Sequence, residues 1–195
     1  MTGDEYLLDT SVVRDFVAGV RAAIEDAGSP AQACDAIRPS FAQLLADPAW
    51  LPERFQEGDP ESGMGGGIGQ WLLFRAEDRS LSLFSLVVPS GAQTPVHDHL
   101  AWGLVGLYRG TQDEDIYAER NGGLELVESR TLHPGDFYAL IPPQDDIHPR
   151  AHHVAADVGL DPPAHQRHRL RVAARIRRAL GRGHAVPVRV RERPM

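Results

Sequence analysis

The sequence predicts a mainly β fold with a helical layer at its N-terminus. Two observations carry this. From Gln70 onward, short apolar or alternating runs are separated by turn residues, the pattern of a barrel or sandwich. Ahead of Gln70, apolar residues recur at helical spacing. With 195 residues, 42% of them hydrophobic, the chain suits one domain with an ordinary core and appended helices.

The first helix is marked by Val13, Phe16, Val17, Val20 and Ile24, after a cap at Asp9 or Thr10. Gly28-Ser29-Pro30 ends it. A second helical piece carries Cys34 and Ile37 on one side and is expected to break near Pro39. Phe41, Leu44 and Leu45 continue the apolar face to Asp47-Pro48. This region reads as a packing layer. Glycines then cluster at Gly63, Gly65, Gly66, Gly67 and Gly69. A phosphate-cradling loop needs a lysine, and the chain has none, so this is a loop before the first strand. Strands are expected at 71–75, 81–88, 101–108, 113–119, 124–131 and 137–141. Residues 1–69 are thus a helical layer and Gly-rich loop, and 70–148 a β core.

The chain changes character at its end. All 20 basic residues are Arg, and they are unevenly placed. Residues 1–150 carry 10 Arg and 24 acids, a net −14; residues 151–195 carry 10 Arg and 3 acids, a net +7. The last stretch has no aromatic residue. There Gln166–Leu180 reads as a basic helix with a thin apolar stripe. Val186–Val190 is the one strand candidate, weakened by Pro187. The acidic body excludes nucleic acid as a partner of the main domain. No apolar run is long enough to cross a bilayer, so no membrane partner is expected. Cys34 is the only cysteine, which excludes an internal disulfide. The start, Met1 to Tyr6, lacks the basic residues of a secretory signal, and a cytoplasmic location is expected.

Two stretches carry chemistry. The first is Gly91-Ala-Gln-Thr-Pro-Val-His97-Asp98-His99, continuing through Trp102-Gly103 to Gly110. On a strand, residues two apart share a face, so His97 and His99 project together and Asp98 points away. Two imidazoles at this spacing can take adjacent positions on one metal. The second stretch runs from Gly135-Asp136 through Pro142-Pro143 to Asp146-Ile147-His148. A neighbouring antiparallel strand can bring His148 opposite the first pair. His133 reads as an exposed turn residue, Trp102 as core or pocket wall, and Cys34 as a buried small apolar residue. Asp145 and Asp146 shape the turn before His148. Tyr108, Tyr117 and Tyr138 can approach the pocket, and nothing in the sequence selects among them.

These two stretches resemble the signature motifs of the cupin superfamily. The resemblance spans roughly 70–148 and implies a double-stranded β-helix, a jelly-roll barrel, with helices ahead of it. Cupins usually carry a glutamate a few residues after the His pair. Gly103 or Leu104 stands there in this chain. That loss is similar to the cysteine dioxygenase-like branch of thiol dioxygenases, which use three histidines. The resemblance implies His97, His99 and His148 around Fe(2+), and a small thiol carboxylate of the cysteine or 3-mercaptopropionate type. Dioxygen would be the co-substrate, and the product a sulfinate. Nickel, manganese, zinc and copper are also compatible with these ligands. The same resemblance gives Arg75 the task of clamping the substrate carboxylate through paired hydrogen bonds. The bland alternative pairs Arg75 with Glu77 or Asp78.

The resemblance stops at His148. The related enzymes carry a Ser-x-His-x-Tyr segment further on. Here His152, His153, His165, His168 and His184 lie beyond His148, none in that context, and the tail has no tyrosine. Residues 149–195 therefore read as an atypical Arg/His/Pro-rich tail with the barrel's C-terminal strands missing or replaced. A shifted reading frame in a GC-rich gene accounts for such a composition, and the DNA after the His148 codon tests that. Two other functions fit the motifs: a metal-dependent cupin enzyme acting on a non-thiol acid, and a non-catalytic metal-binding cupin.

Overall fold

The computed structural model describes residues 3–92, 101–120, 123–141 and 168–176. After a short strand β1 (Glu5–Tyr6), helix α1 runs Ser11–Asp26. Its cap is Thr10, whose side chain accepts from the Val13 amide at 3.3 Å. Val13, Phe16, Val17 and Val20 are buried, as their spacing predicts.

Helix α2 runs unbroken from Pro30 to Ala46, capped by Ser29. The expected break at Pro39 does not occur. Proline inside a helix costs about 3 kcal/mol. Phe41, Leu44 and Leu45 beyond it are all buried on the side of Cys34 and Ile37. Burying three such side chains returns roughly 1.5–3 kcal/mol each, so packing outweighs the local penalty.

The strands are β2 (Gly69–Arg75), β3 (Leu81–Pro89), β4 (Trp102–Arg109), β5 (Gln112–Arg120), β6 (Gly123–Leu132) and β7 (Phe137–Leu140). They match the six expected runs within a few residues. The glycine cluster is a loop, with Gly63, Gly65, Gly66 and Gly67 all at positive φ.

The tail differs from expectation. His168–Ile176, expected within a helix, is strand β8. It lies antiparallel between β3 and β4, paired from Leu81↔Ile176 to Pro89↔His168 on one side and from Trp102↔Ile176 on the other. Leu170, Val172, Ala174 and Ile176 alternate with Arg169, Arg171, Ala173 and Arg175, the period of a strand. As a strand it fills the facing edges of β3 and β4, whose backbone groups a helix would leave without ladder partners, and this decides against the helix. Val186–Val190 lies outside the described residues.

The result is a six-stranded antiparallel sheet, ordered β1-β2-β3-β8-β4-β7, with β5 and β6 as a separate hairpin. One face of the sheet is covered by α1 and α2. Trp71, Leu73, Leu83, Val87, Trp102, Leu104 and Tyr108 join the helices in the main core. The approach is close at Gly106, where a Cβ would lie 2.5 Å from Leu45 Cδ1 and 2.9 Å from Phe41 Cε1. A glycine is therefore required where α2 crosses β4.

Candidate functional site

Alternation along the strands sends the remaining side chains to the other face. There Val105 and Leu140 are buried, with Phe84 and Tyr138 packed against them. Gly103 stands opposite Leu140 and Val105 opposite Tyr138. Gly103 thus belongs to this second face and brings no side chain to it.

The β5–β6 hairpin turns a polar cluster toward this face. Gln112, Glu114 and Ile116 are all buried. Glu114 and Arg130 are cross-strand partners. Arg130 donates to Glu114 Oε2 from Nε at 3.0 Å and from Nη2 at 2.8 Å. The other carboxylate oxygen accepts from Gln112 Nε2 and, at 3.1 Å, from the Tyr138 hydroxyl. The guanidinium lies over the Tyr138 ring, 4.3 Å from its centre. Burial pulls the Arg130 pKa down, but the Glu114 carboxylate more than offsets this, and the group is held charged. Because Tyr138 comes from β7, this contact joins the hairpin to the six-stranded sheet.

Nothing in the sequence pattern singles out Glu114 or Arg130. In Gln112-Asp113-Glu114-Asp115-Ile116 polar residues occupy both faces, and alternation cannot separate the buried acid from its exposed neighbours. The faint signal was parity: Glu114 shares its face with Ile116.

Among the residues singled out earlier, His97, His99 and His148 lie outside the described residues, as do Asp98, Asp145 and Asp146. The stretch bearing His97 and His99 is bracketed by Ala92 and Ala101, both buried. Among the described residues no group of three or more His, Cys, Asp or Glu side chains could hold a metal ion. Arg75 ends β2, opposite Glu5 on β1 and Ser82 on β3. Its Nη2 donates to Glu5 Oε2 at 2.6 Å, across the β1–β2 ladder. Of the acids expected as alternatives, Asp78 accepts from Ser80 Oγ at 2.6 Å, and the Glu77 backbone amide donates to Asp4 at 3.2 Å.

Several plain readings hold. His133 is an exposed turn residue, its amide donating to Asp136 Oδ2 at 2.7 Å. Trp102 is buried in the helix-side core. Cys34 is buried, and burial pushes its thiol up to about 11. It donates weakly to the Gly103 carbonyl at 3.8 Å. Tyr108 also lies on the helix side, donating to the Asp47 carbonyl at 2.9 Å. Of the three tyrosines, Tyr138 alone is described on the second face; Tyr117 pairs with Leu126 on β6.

No known family profile matches the chain. Its fold is similar to several solved structures. One is a cupin domain of an XRE-family transcriptional regulator from Enterobacter cloacae, at 18% identity and TM-score 0.39, covering 57% of this chain and 97% of that one. Another is an RmlC-like cupin from Shewanella frigidimarina, at 15% identity and TM-score 0.37, covering 65% and 86%. A third is an ectoine synthase from P. lautus, at 18% identity and TM-score 0.34, covering 51% and 56%.

Proposed function

We propose that the chain is a cupin with a three-histidine ferrous site, oxidising a small thiol carboxylate to a sulfinate. The observation that supports it most is the strand pairing. A jelly roll is an antiparallel ribbon of eight strands, wrapped on itself. Its first strand pairs with its eighth, its third with its sixth and its fourth with its fifth. Here β3 pairs with β8, β4 with β7 and β5 with β6, all antiparallel. Rolling the ribbon sets the eighth strand beside the third, and β8 does lie beside β4.

One ribbon pair is left, the second with the seventh. Residues 93–100, between β3 and β4, and 142–167, between β7 and β8, lie outside the described residues. By sequence, the first stretch holds His97 and His99, and the second opens near His148.

The donor set fits a divalent ion. Three neutral imidazoles leave its full charge for an anionic ligand, and Gly103 adds no carboxylate to that face. Bound ferrous iron supplies the redox chemistry by which dioxygen reacts with a thiolate sulfur. The chain's own residues do the rest. Phe84, Val105 and Leu140 pack as an apolar cluster, which in this reading would keep water from the reacting sulfur. Arg75 is the sequence's candidate for the substrate carboxylate. It donates from Nη2 to Glu5 Oε2 at 2.6 Å, so a substrate carboxylate bound there would share the guanidinium with Glu5.

His97→Ala and His148→Ala are each expected to lower iron content sharply in purified protein. Unchanged iron in both would sink the site. Iron-loaded protein is expected to consume oxygen and form a sulfinate from cysteine or 3-mercaptopropionate, read by mass spectrometry. The tail without tyrosine favours a second reading, a metal-binding cupin acting on a non-thiol acid or on nothing. Normal iron content without sulfinate would select it.

A further inference from the structure

We propose that Arg130 is an anion-binding residue of the face between hairpin and sheet, taking a ligand carboxylate on its Nη1 edge. The inference rests on the reading above only for the class of ligand. Its basis is the way the Glu114 cluster is saturated on one side and open on the other.

A guanidinium carries five N–H donors in one plane. Arg130 uses Nε and Nη2 on a single carboxylate oxygen of Glu114. The second oxygen is taken by Gln112 and Tyr138, so both carboxylate oxygens are engaged. Among the described residues the Nη1 group of Arg130 makes no hydrogen bond. The side chain is 26% exposed, against 2% for Glu114. The Arg130 side chain is thus partly open to solvent while its partner is not.

The guanidinium is also fixed. Two hydrogen bonds hold its edge, and the Tyr138 ring lies against its face. A donor fork already locked in place costs little further entropy to engage, and its geometry matches a planar carboxylate. The Tyr138 ring beneath it packs against buried, apolar Val105 and Leu140, and such low-dielectric surroundings strengthen a charge-assisted bond. Because Glu114 already balances the charge, the site selects on shape and donors more than on net charge. Arg75 lies elsewhere, near the sheet's β1 edge, its Nη2 donating to Glu5 Oε2.

The test uses the full chain prepared without metal, with propionate as probe and propionamide as its uncharged counterpart. Nitrogen-labelled arginine NMR follows the side chains directly. Propionate is expected to shift the Arg130 signals and propionamide to leave them in place. Arg130→Gln, and Arg130→Lys, which keeps the charge but not the fork, are each expected to weaken propionate binding about tenfold. Iron uptake by both variants should stay normal. No shift of Arg130 in the wild-type chain overturns the inference, whether or not the variants fold. So does weakening by Arg75→Gln with none by Arg130→Gln, an outcome that leaves the proposed function standing. Loss of iron binding in His97→Ala bears on that function and not on Arg130.

Discussion

The two faces of the six-stranded sheet obey different rules. The face under α1 and α2 is apolar, and the close approach of α2 to β4 is solved by Gly106. The opposite face mixes Val105 and Leu140 with a saturated carboxylate, a fixed guanidinium and a phenol. Packing alone accounts for the first. The second invests in buried polar groups that a stability-driven core would omit. The difference separates the scaffold from the surface on which chemistry is expected.

The comparison breaks first if the sheet itself is wrong. Ala173 pairs with Phe84 on one side and Val105 on the other. Ala173→Pro removes a ladder donor from a central strand and is expected to cost on the order of 5 kcal/mol. Denaturant unfolding would read it, and a neutral result would make the tail an appendage. Phe41→Ala tests the helix-covered face. A fully buried phenylalanine lost to a cavity costs about 4 kcal/mol, with iron uptake unchanged. Glu114→Gln tests the other face. It leaves Arg130 without its counter-charge, at about 2 kcal/mol once its partial exposure is discounted.

The smallest effect lies off both faces. Arg21 beside Asp4 holds that carboxyl below the usual range. A depressed folded pKa adds stability that is present above the unfolded value and lost as pH falls through the folded one. The stability of Asp4→Asn should therefore fall less than that of wild type on acidification below about pH 4, as read by melting temperature.

Legibility followed the same divide. Wherever one face was apolar and the other polar, period told strand from helix, as in Leu81–Val88 and Val13–Val20. Pro39 misled because a local penalty was read without the burial of Phe41 and Leu45 that overrides it. His168–Ile176 misled because its arginines and alanines fit a helical stripe nearly as well as a strand, and only the open edges of β3 and β4 choose. Glu114 was hidden among acids on both faces. The histidines were legible as a motif because spacing alone carries that signal, while their positions lie outside the described residues.

The place of β8 also sets an order of assembly. β3 and β4 follow one another among the described strands but do not pair; the strand that joins them emerges from the ribosome after all the others described. Until it arrives, the nascent sheet holds two facing, unpaired edges open, a template that any extended segment can enter. Helices and hairpin can form locally, yet the central joint waits on a long loop closure. A chain halted before His168 would lose the hinge between its halves and leave both edges to aggregate, so chaperone dependence should track this one strand.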